Sequence, residues 1–332
     1  MNSKFSVIIP LYNKAPYVRK ALDSIMSQTF KDWELIIVDD GSTDGSAAIC
    51  EEYLSTPYTI HHTPIENIRI ISQPNSGVAK ARNVGIENSS APFVCFLDAD
   101  DWWEPTFLEE MDKLIKEYPD AGLYATNYIY YKPGKTHVAL SLPRGYMDYP
   151  KAYYEGSAMP VWTGATCMPR NVFDEMGGFP VGIKLGEDFL LWAKTALHYP
   201  VAYSEKPLAY YNNDVPASLR ATRNLHAPEY HMLFHLDSIE DELTHYTLHI
   251  THPEDWKALL DKLRISGLLD YWMDERYHDV AAAELAKVDW SKHLRRAKAQ
   301  YEKPIWFLRA KRRFMQIGSY CKQKLIRLRY KK

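Results

Sequence analysis

The chain has 332 residues, of which 40 are basic and 42 acidic, with a formal net charge of −2 at pH 7. This length suits one large domain plus a smaller one, and no run approaches the ~20 apolar residues of a membrane span. The four cysteines form no C-x-x-C pair, so neither a zinc site nor a disulfide framework is supported. With no export signal ahead of Phe5, we expect a reducing, cytoplasmic environment.

Two apolar, β-branched runs begin the predicted fold. Residues 6–10 predict a central strand ended by proline, and a helix follows whose apolar positions recur every three or four residues. Residues 34–38 predict a second buried strand, which ends in the polar segment 39–45. Carboxylates at the carboxyl end of such a strand suit ligand binding, although a turn with a helix N-cap uses the same residue types.

A third strand is predicted at residues 69–72, before a turn and a helix over residues 78–87. Lys80 and Arg82 lie in the first turns of this helix, where an anion can bind, although lone basic residues on helices are more often solvated. The succession of strands and helices predicts an α/β fold with a parallel, doubly wound sheet.

The next strand ends in a cluster of acids. The apolar run 93–97 predicts a buried strand, and Asp98, Asp100 and Asp101 follow it directly. Because a buried strand cannot solvate a carboxylate, these acids should lie in a crevice at the strand end. Asp98 and Asp100 are spaced so that both can face one divalent cation or a ribose, whereas Asp101 is equally suited to capping the next helix.

Five motifs occur in order over the first hundred residues: 7–13 (VIIPLYN), 27–30 (SQTF), 38–44 (VDDGSTD), 77–85 (GVAKARNVG) and 97–101 (LDADD). This succession resembles the family 2 glycosyltransferases of the GT-A fold, and the resemblance extends to about Asn212. It implies a Rossmann-like, mainly parallel mixed sheet flanked by helices. It also implies a nucleotide-diphosphate sugar donor, Mn²⁺ or Mg²⁺ on the Asp-x-Asp element, and inversion at the anomeric carbon.

The resemblance also assigns residues to the nucleotide sugar. They are Pro10, Tyr12, Asn13, Asp39, Asp40, Gly77, Arg82, Asp98, Ala99 and Asp100. Tyr12 would lie against the base, and Asp40 would accept a hydrogen bond from a base edge such as a uracil imide, which favours a UDP-sugar. Asp98 would reach the ribose or the metal, Asp100 would bind the metal, and Arg82 would lie near the base or the phosphates.

Inverting transfer also needs a base that removes the proton of the acceptor hydroxyl. The resemblance assigns this role to Asp188, which follows Glu187 at the start of an apolar helix; the alternative is that both acids only favour the helix N-terminus. For the acceptor, we expect contacts from Glu187, Trp162 and Trp192. Trp162 is equally suited to the core.

One segment departs from the family pattern. Many relatives carry a basic or histidine residue after the strand near residues 208–211, where it helps to hold the pyrophosphate. Here residues 212–219 contain none, so either Arg220 or Arg223 replaces it or the metal acts with less help.

The last third differs in character. Helical periodicity over residues 227–300 predicts an accessory region, which gives a catalytic domain over 1–220, a helical region over 221–302 and a C-terminal helix over 303–332. Six histidines between positions 226 and 252 lack a compact metal-ligand pattern, so we expect surface or capping roles.

The C-terminal segment is strongly basic. Residues 303–332 contain eleven basic residues and no acid, against 29 basic and 42 acidic residues in positions 1–302. Apolar residues recur between them at steps of three or four, which predicts an amphipathic helix on an anionic membrane surface. Docking on the acidic body is the alternative, and nucleic acid is not an expected partner because no recognised motif is present.

These features together predict a metal-dependent inverting glycosyltransferase that acts on a saccharide or lipid-linked acceptor in bacterial-type cell-surface polysaccharide synthesis. We expect it at the inner face of the plasma membrane as a peripheral protein. A nucleotidyltransferase would carry a Gly-rich, Lys-containing loop after the first strand, where this chain has Pro10. A non-catalytic sugar-nucleotide scaffold would lack the metal acids or the base, whereas Asp98, Asp100 and Asp188 are all present.

Overall fold

The computed structural model describes residues 3–55, 67–156, 158–216, 225–245, 252–292 and 295–310. Its strands are β1 (Phe5–Leu11), β2 (Trp33–Asp39), β3 (Ile68–Ser72), β4 (Phe93–Phe96), β5 (Trp102–Trp103), β6 (Leu123–Tyr131), β7 (His137–Val138), β8 (Gly145–Met147), β9 (Thr166–Pro169) and β10 (Val201–Asn212).

The helices lie between and after these strands. They are α1 (Val18–Met26), α2 (Ser46–Ser55), α3 (Val78–Glu87), α4 (Phe107–Glu117), α5 (Tyr149–Glu155), α6 (Arg170–Met176), α7 (Glu187–His198), α8 (Asp237–His245), α9 (Pro253–Gly267), α10 (Leu269–Met273), α11 (His278–Ala286) and α12 (Arg295–Ala299).

One mixed sheet forms the centre of the protein. Its strand order is β3-β2-β1-β4-β9-β6-β10-β5, with β7 paired to β6 and β8 to β10. The pairs β1–β2, β1–β4, β2–β3 and β6–β10 are parallel, and the remaining pairs are antiparallel. This confirms the predicted Rossmann-like α/β architecture.

Burial explains why these runs became strands and helices. Every residue of β1 and β2 is buried, as expected of parallel strands covered on both faces. Helix α1 buries Val18, Ala21, Leu22 and Ile25, the spacing of one helical face. Helix α3 lies so close to β1 that a Cβ on Gly85 would come within 2.4 Å of an Ile8 methyl carbon. That close contact fixes the C-terminal half of α3 against the middle of β1.

The chain divides into two compact units, residues 1–259 and 260–332. The first contains the whole sheet. In the second, the buried Arg264 donates from Nε to Glu284 Oε2 at 3.2 Å, and Tyr301 donates its hydroxyl to the Ile265 carbonyl at 2.6 Å. The boundaries predicted near residues 220 and 302 stay predictions.

Two expectations fall mainly on parts of the chain that the structure does not describe. Residues 305–310 are helical, but the rest of the predicted amphipathic helix, residues 311–332, lies outside the described residues, as do Arg220 and Arg223. Within the described ranges, no helix has the length and apolar character needed to span a bilayer.

Candidate active site

The predicted site residues gather where the parallel strands end. Pro10 pairs with Val38 inside the sheet, and beyond the strands the Asp40 amide donates to the Leu11 carbonyl at 2.8 Å. The Leu97 amide donates to the Ile8 carbonyl at 3.0 Å, which brings the acids after β4 to the same edge. In open α/β sheets this edge is where ligands bind.

The loop after β1 is fastened to the loop after β2. The Asn13 side-chain oxygen accepts from the Thr43 amide at 2.8 Å, the Asn13 amide donates to Ser42 Oγ at 3.1 Å, and the Ser42 amide donates to Asp39 Oδ1 at 3.1 Å. Asn13 has a φ of 51°, a left-handed conformation that asparagine tolerates better than most residues. The side chain of Tyr12 stays 47% exposed. Asn13 and Asp39 therefore shape a loop that presents the Tyr12 ring.

Asp40 holds the next loop in place. Its Oδ1 accepts from Gln73 Nε2 at 2.6 Å and from the Ser76 amide at 2.8 Å, and its Oδ2 accepts from the Gly77 amide at 2.9 Å. A carboxylate has about four acceptor positions, and three are used here. Asp40 is only 3% exposed, so its main contacts tie β2 to the N-terminus of α3. Sequence reasoning missed this supporting role.

Asp98 and Asp100 lie in the loop that follows β4, and each is paired with a cation. Arg82 Nη2 lies 2.9 Å from Asp98 Oδ1, and Lys14 Nζ lies 2.6 Å from Asp100 Oδ2. Burial raises the pKa of Asp100; the ammonium of Lys14 opposes this rise and the charge of Asp98 adds to it. Both carboxylates remain partly exposed.

Ala99, which lies between the two acids, and Asp101, which follows them, point into the protein. Ala99 is buried, and Asp101 Oδ1 accepts from the Asn212 amide at 2.7 Å. Burial, followed by the charges of the two neighbouring acids, raises the pKa of Asp101 well above its usual range. Helix α4 begins only at Phe107, so Asp101 does not cap it and instead fastens the acidic loop to the end of β10.

Asp98 and Asp100 carry carboxylates, the oxygen ligands that hard divalent cations prefer. In the part of the chain that the structure describes, no group of three or more His, Cys, Asp or Glu side chains could hold a metal ion by itself. Mg²⁺ and similar ions are commonly held by one or two carboxylates together with substrate phosphates. In this structure Lys14 compensates the charge of Asp100 and Arg82 that of Asp98.

Arg82 connects the two acidic parts of the site. Its Nη2 contacts Asp98 and its Nη1 lies 2.8 Å from Glu187 Oε1, while the guanidinium carbon lies 5.1 Å from the centre of the Phe179 ring. Burial alone would lower the pKa of Arg82. The nearby carboxylates, of which Asp98 has the largest effect, raise this pKa above its usual range. The predicted role near base or phosphates is not tested by these contacts.

Glu187 and Asp188 occupy the first turn of α7. Burial, and then the charge of Asp188, raises the pKa of Glu187 to about 7, against the opposing effect of Arg82. Asp188 is half-buried, and its Oδ2 accepts from the hydroxyl of the buried Thr163 at 2.8 Å. Sequence reasoning did not find Thr163, because no motif distinguishes this threonine from one in the core.

The two tryptophans assigned to the acceptor lie in the core. The Trp162 ring is 3% exposed and its centre lies 5.0 Å from that of Tyr128 and 5.2 Å from that of Tyr211. Trp192 is buried with its ring centre 5.5 Å from that of Phe179. The core alternative therefore fits Trp162, and aromatic packing rather than acceptor contact accounts for both indoles.

Comparison with known proteins identifies the family of this chain. Residues 6–177 match the profile described as "Glycosyl transferase family 2". The chain is 41% identical over 128 residues to "Glycosyltransferase GlyA" of Streptococcus pneumoniae serotype 4, which is 39% of this chain and 17% of that protein. It is 33% identical over 175 residues to "Uncharacterized glycosyltransferase YibD" of Escherichia coli K12, which is 51% of this chain and 48% of that protein. The chain thus spans less than half the length of either relative.

Among solved structures, S. aureus TarS 1–349 in complex with UDP-GlcNAc superposes with a TM-score of 0.71 and 20% sequence identity, covering 90% of this chain and 83% of that one. That likeness establishes the GT-A type of fold. The matched profile covers just over half of the chain and includes the segments that carry Tyr12, Asp40, Arg82, Asp98 and Asp100. The chain belongs to glycosyl transferase family 2.

Proposed function

We propose that this protein transfers a sugar from a nucleotide-diphosphate donor, with a UDP-sugar favoured, to a hydroxyl of a saccharide or lipid-linked acceptor, with inversion. The observation that carries the proposal is the position of Arg82. One buried guanidinium contacts Asp98 in the crevice where a donor would bind and Glu187 beside the candidate base Asp188. The donor-side acids and the base-side acid pair therefore belong to one rigid site.

Asp188 supplies the chemistry that an acceptor hydroxyl needs. As the hydroxyl oxygen attacks the anomeric carbon, the Asp188 carboxylate takes its proton, and the bond between the sugar and the nucleotide diphosphate breaks on the opposite face. Thr163 holds Asp188 Oδ2, and the Phe189 amide donates to Asp188 Oδ1 at 2.8 Å. Each oxygen keeps acceptor capacity for the incoming proton.

The donor side is built for a nucleotide. The exposed Tyr12 ring offers a face for a base, and Asp40 keeps one acceptor position for a base edge. Asp98 and Asp100 would hold Mn²⁺ or Mg²⁺, which when bound would neutralise the charge of the departing diphosphate. The solved TarS structures with UDP-GlcNAc and with UDP support uridine as the first base to test.

The C-terminal segment suits attachment to an anionic membrane. Trp306 is 70% exposed and Phe307 is also exposed, in a helical stretch that precedes nine basic residues in positions 311–332. Exposed aromatic rings next to basic side chains are typical of helices that lie at a lipid interface. Such attachment would place the site at the inner face of the plasma membrane, beside a lipid-linked acceptor of polysaccharide synthesis.

Calorimetric titration with uridine, guanosine and thymidine diphosphates, each with Mn²⁺ and with a chelator, tests the proposal. We expect one diphosphate, UDP first, to bind at least tenfold more tightly with Mn²⁺. The corresponding sugar donors are then screened for release of that diphosphate in the presence of saccharide acceptors. A chain that binds none of the three would contradict the proposal.

A further inference from the structure

The ion pair between Lys14 and Asp100 has a role that the family resemblance does not assign. We propose that Lys14 is the counter-ion of Asp100 before the donor binds and becomes a ligand of the donor's diphosphate once a divalent cation takes over that carboxylate. This inference rests on the proposed function, because it concerns the same donor site. It makes Lys14 a residue that contacts substrate.

The backbone of Lys14 is fixed while its side chain can move. The Lys14 amide donates to Ser46 Oγ at 2.8 Å, and its carbonyl accepts from the amides of Tyr17 and Val18 at 2.9 and 3.0 Å. Residue 14 is therefore held at the start of α1. Only the four-carbon side chain, which is partly exposed, can redirect the ammonium group.

Charge distribution shows which cation is free to change partner. Among the described residues, the ion pairs of the acids after β4 are Arg82 with Asp98 and Lys14 with Asp100. Arg82 is buried and also paired with Glu187, so moving it would leave two carboxylates uncompensated. Lys14 is paired with Asp100 alone within the same described ranges, so its departure costs one contact.

A divalent cation on Asp100 makes that departure favourable. The cation and the ammonium compete for the same carboxylate and repel each other at short range. The displaced ammonium needs another anion within reach of its side chain, and a diphosphate bound to the same cation supplies one. Lysine is well suited to this contact because its three donors rotate freely around a point charge.

The inference also accounts for the departure from the family pattern. The described residues directly after β10, positions 213–216, include no basic side chain, so no cation from that stretch can hold the pyrophosphate. Lys14 follows the end of β1 and contacts the same acidic loop. In the sheet, β1 lies next to β4 on the side away from β10. It would supply the positive charge that relatives take from the segment after β10.

Two binding measurements on Lys14→Met test the proposal in the full chain. Free Mn²⁺ followed by electron paramagnetic resonance should reveal tighter binding of the metal alone than in wild type, by about threefold or more, because a competitor for Asp100 is gone. Affinity for UDP with Mn²⁺, measured by calorimetry, should fall by about tenfold, because a charged hydrogen bond to the diphosphate is lost. A static ion pair that only shapes the loop would weaken both affinities.

Two further variants control these results. Lys14→Arg keeps a cation and should retain most of the UDP affinity. Lys20→Met removes a lysine from the same segment of chain, where its ammonium lies over the Trp102 ring, and should leave both affinities unchanged. Thermal unfolding of each variant confirms that it folds.

A labelling experiment on wild type keeps the test independent of any variant. Acetylation of lysines, read by mass spectrometry, should modify Lys14 faster when Mn²⁺ alone is added and more slowly when UDP and Mn²⁺ are added together. The exposed Lys113 on α4 serves as the internal reference. An acetylation rate of Lys14 that changes with neither addition would overturn the proposal.

The outcomes separate this inference from the proposed function. A wild-type chain that binds no nucleotide diphosphate overturns both. Normal UDP binding by wild type, together with unchanged or weaker Mn²⁺ binding by Lys14→Met, overturns the role of Lys14 alone. The opposite changes in the two affinities support it.

Discussion

Thr163 Oγ1 donates a hydrogen bond to Asp188 Oδ2 across 2.8 Å. Thr163 is buried in the turn that precedes β9, whereas Asp188 lies at the start of α7, so the contact joins two elements that are 25 residues apart. Because the Thr163 hydroxyl is buried and cannot donate to water instead, it holds the Asp188 carboxylate in one orientation. For a general base, orientation toward the acceptor hydroxyl matters as much as charge.

Replacing Thr163 by valine should therefore lower kcat by about tenfold and leave the KM for the donor nearly unchanged. Valine keeps the shape of the side chain and removes only the donated hydrogen bond. Steady-state kinetics of diphosphate release measure both constants. Thr195→Val is the matched control, because that buried threonine donates to the Leu191 carbonyl within α7, away from the acids. Equal losses in both variants would argue that packing, and not orientation of Asp188, is responsible.

Asp188→Asn should reduce transfer by 10²-fold or more, because the amide cannot accept the proton of the acceptor hydroxyl. Affinity for UDP with Mn²⁺ should stay within about twofold of wild type, since Asp188 acts on the acceptor and not on the donor. Calorimetry and the transfer assay read these effects separately. Asp174→Asn, an exposed acid on α6, should change neither. Transfer at the normal rate by Asp188→Asn would refute the assignment of the base.

The strand ends were predictable from sequence because an apolar run followed by acids has few other physical solutions. The mixed sheet and the positions of Asp40, Asp98 and Asp100 at its edge follow from that rule. Pairings across the fold were not predictable: Lys14 and Asp100 are 86 residues apart, and Arg82 and Glu187 are 105 apart. Such contacts depend on how the elements pack, which no local pattern encodes.

Glu187 should make stability depend on pH. Its pKa is raised from 4.5 to about 7 in the folded protein, so between these values the folded state keeps a proton that the unfolded state has lost. The free energy of unfolding therefore falls as pH rises through this window, by on the order of 3 kcal/mol. Glu187→Gln lacks this titration.

Denaturant unfolding of both proteins between pH 4 and pH 8 checks the prediction. The stability of wild type relative to Glu187→Gln should decrease steadily with pH. Glu51→Gln, an exposed acid on α2, should give no such trend. A pH-independent difference between wild type and Glu187→Gln would show that Arg82 fully compensates the buried carboxylate.

The C-terminal segment should bind anionic lipid. Deleting residues 311–332 removes nine basic residues and should lower co-sedimentation with vesicles that contain phosphatidylglycerol by at least fivefold, at about 0.1 M salt. Vesicles of phosphatidylcholine alone should retain neither protein. Because the deletion begins after the last described residue, unfolding measurements should confirm that the remainder keeps its stability. Unchanged sedimentation of the shortened chain would refute the membrane contact.

Gly186 fixes the start of α7, where Glu187 and Asp188 lie. Its φ is +84°, and a Cβ there would lie 2.3 Å from Met232 Sδ and 2.8 Å from Met232 Cβ. Gly186→Ala should therefore cost about 2–3 kcal/mol of stability and displace Asp188, with a matching loss of kcat. Gly182→Ala shares a positive φ of +100° but has nothing within 4 Å of the added carbon, so it should cost only the backbone strain of about 1–2 kcal/mol. Adding Met232→Gly to Gly186→Ala removes all three Met232 side-chain atoms that the added carbon would meet, and should recover activity. If the double variant is no more active than Gly186→Ala, backbone strain alone sets the position of the acids.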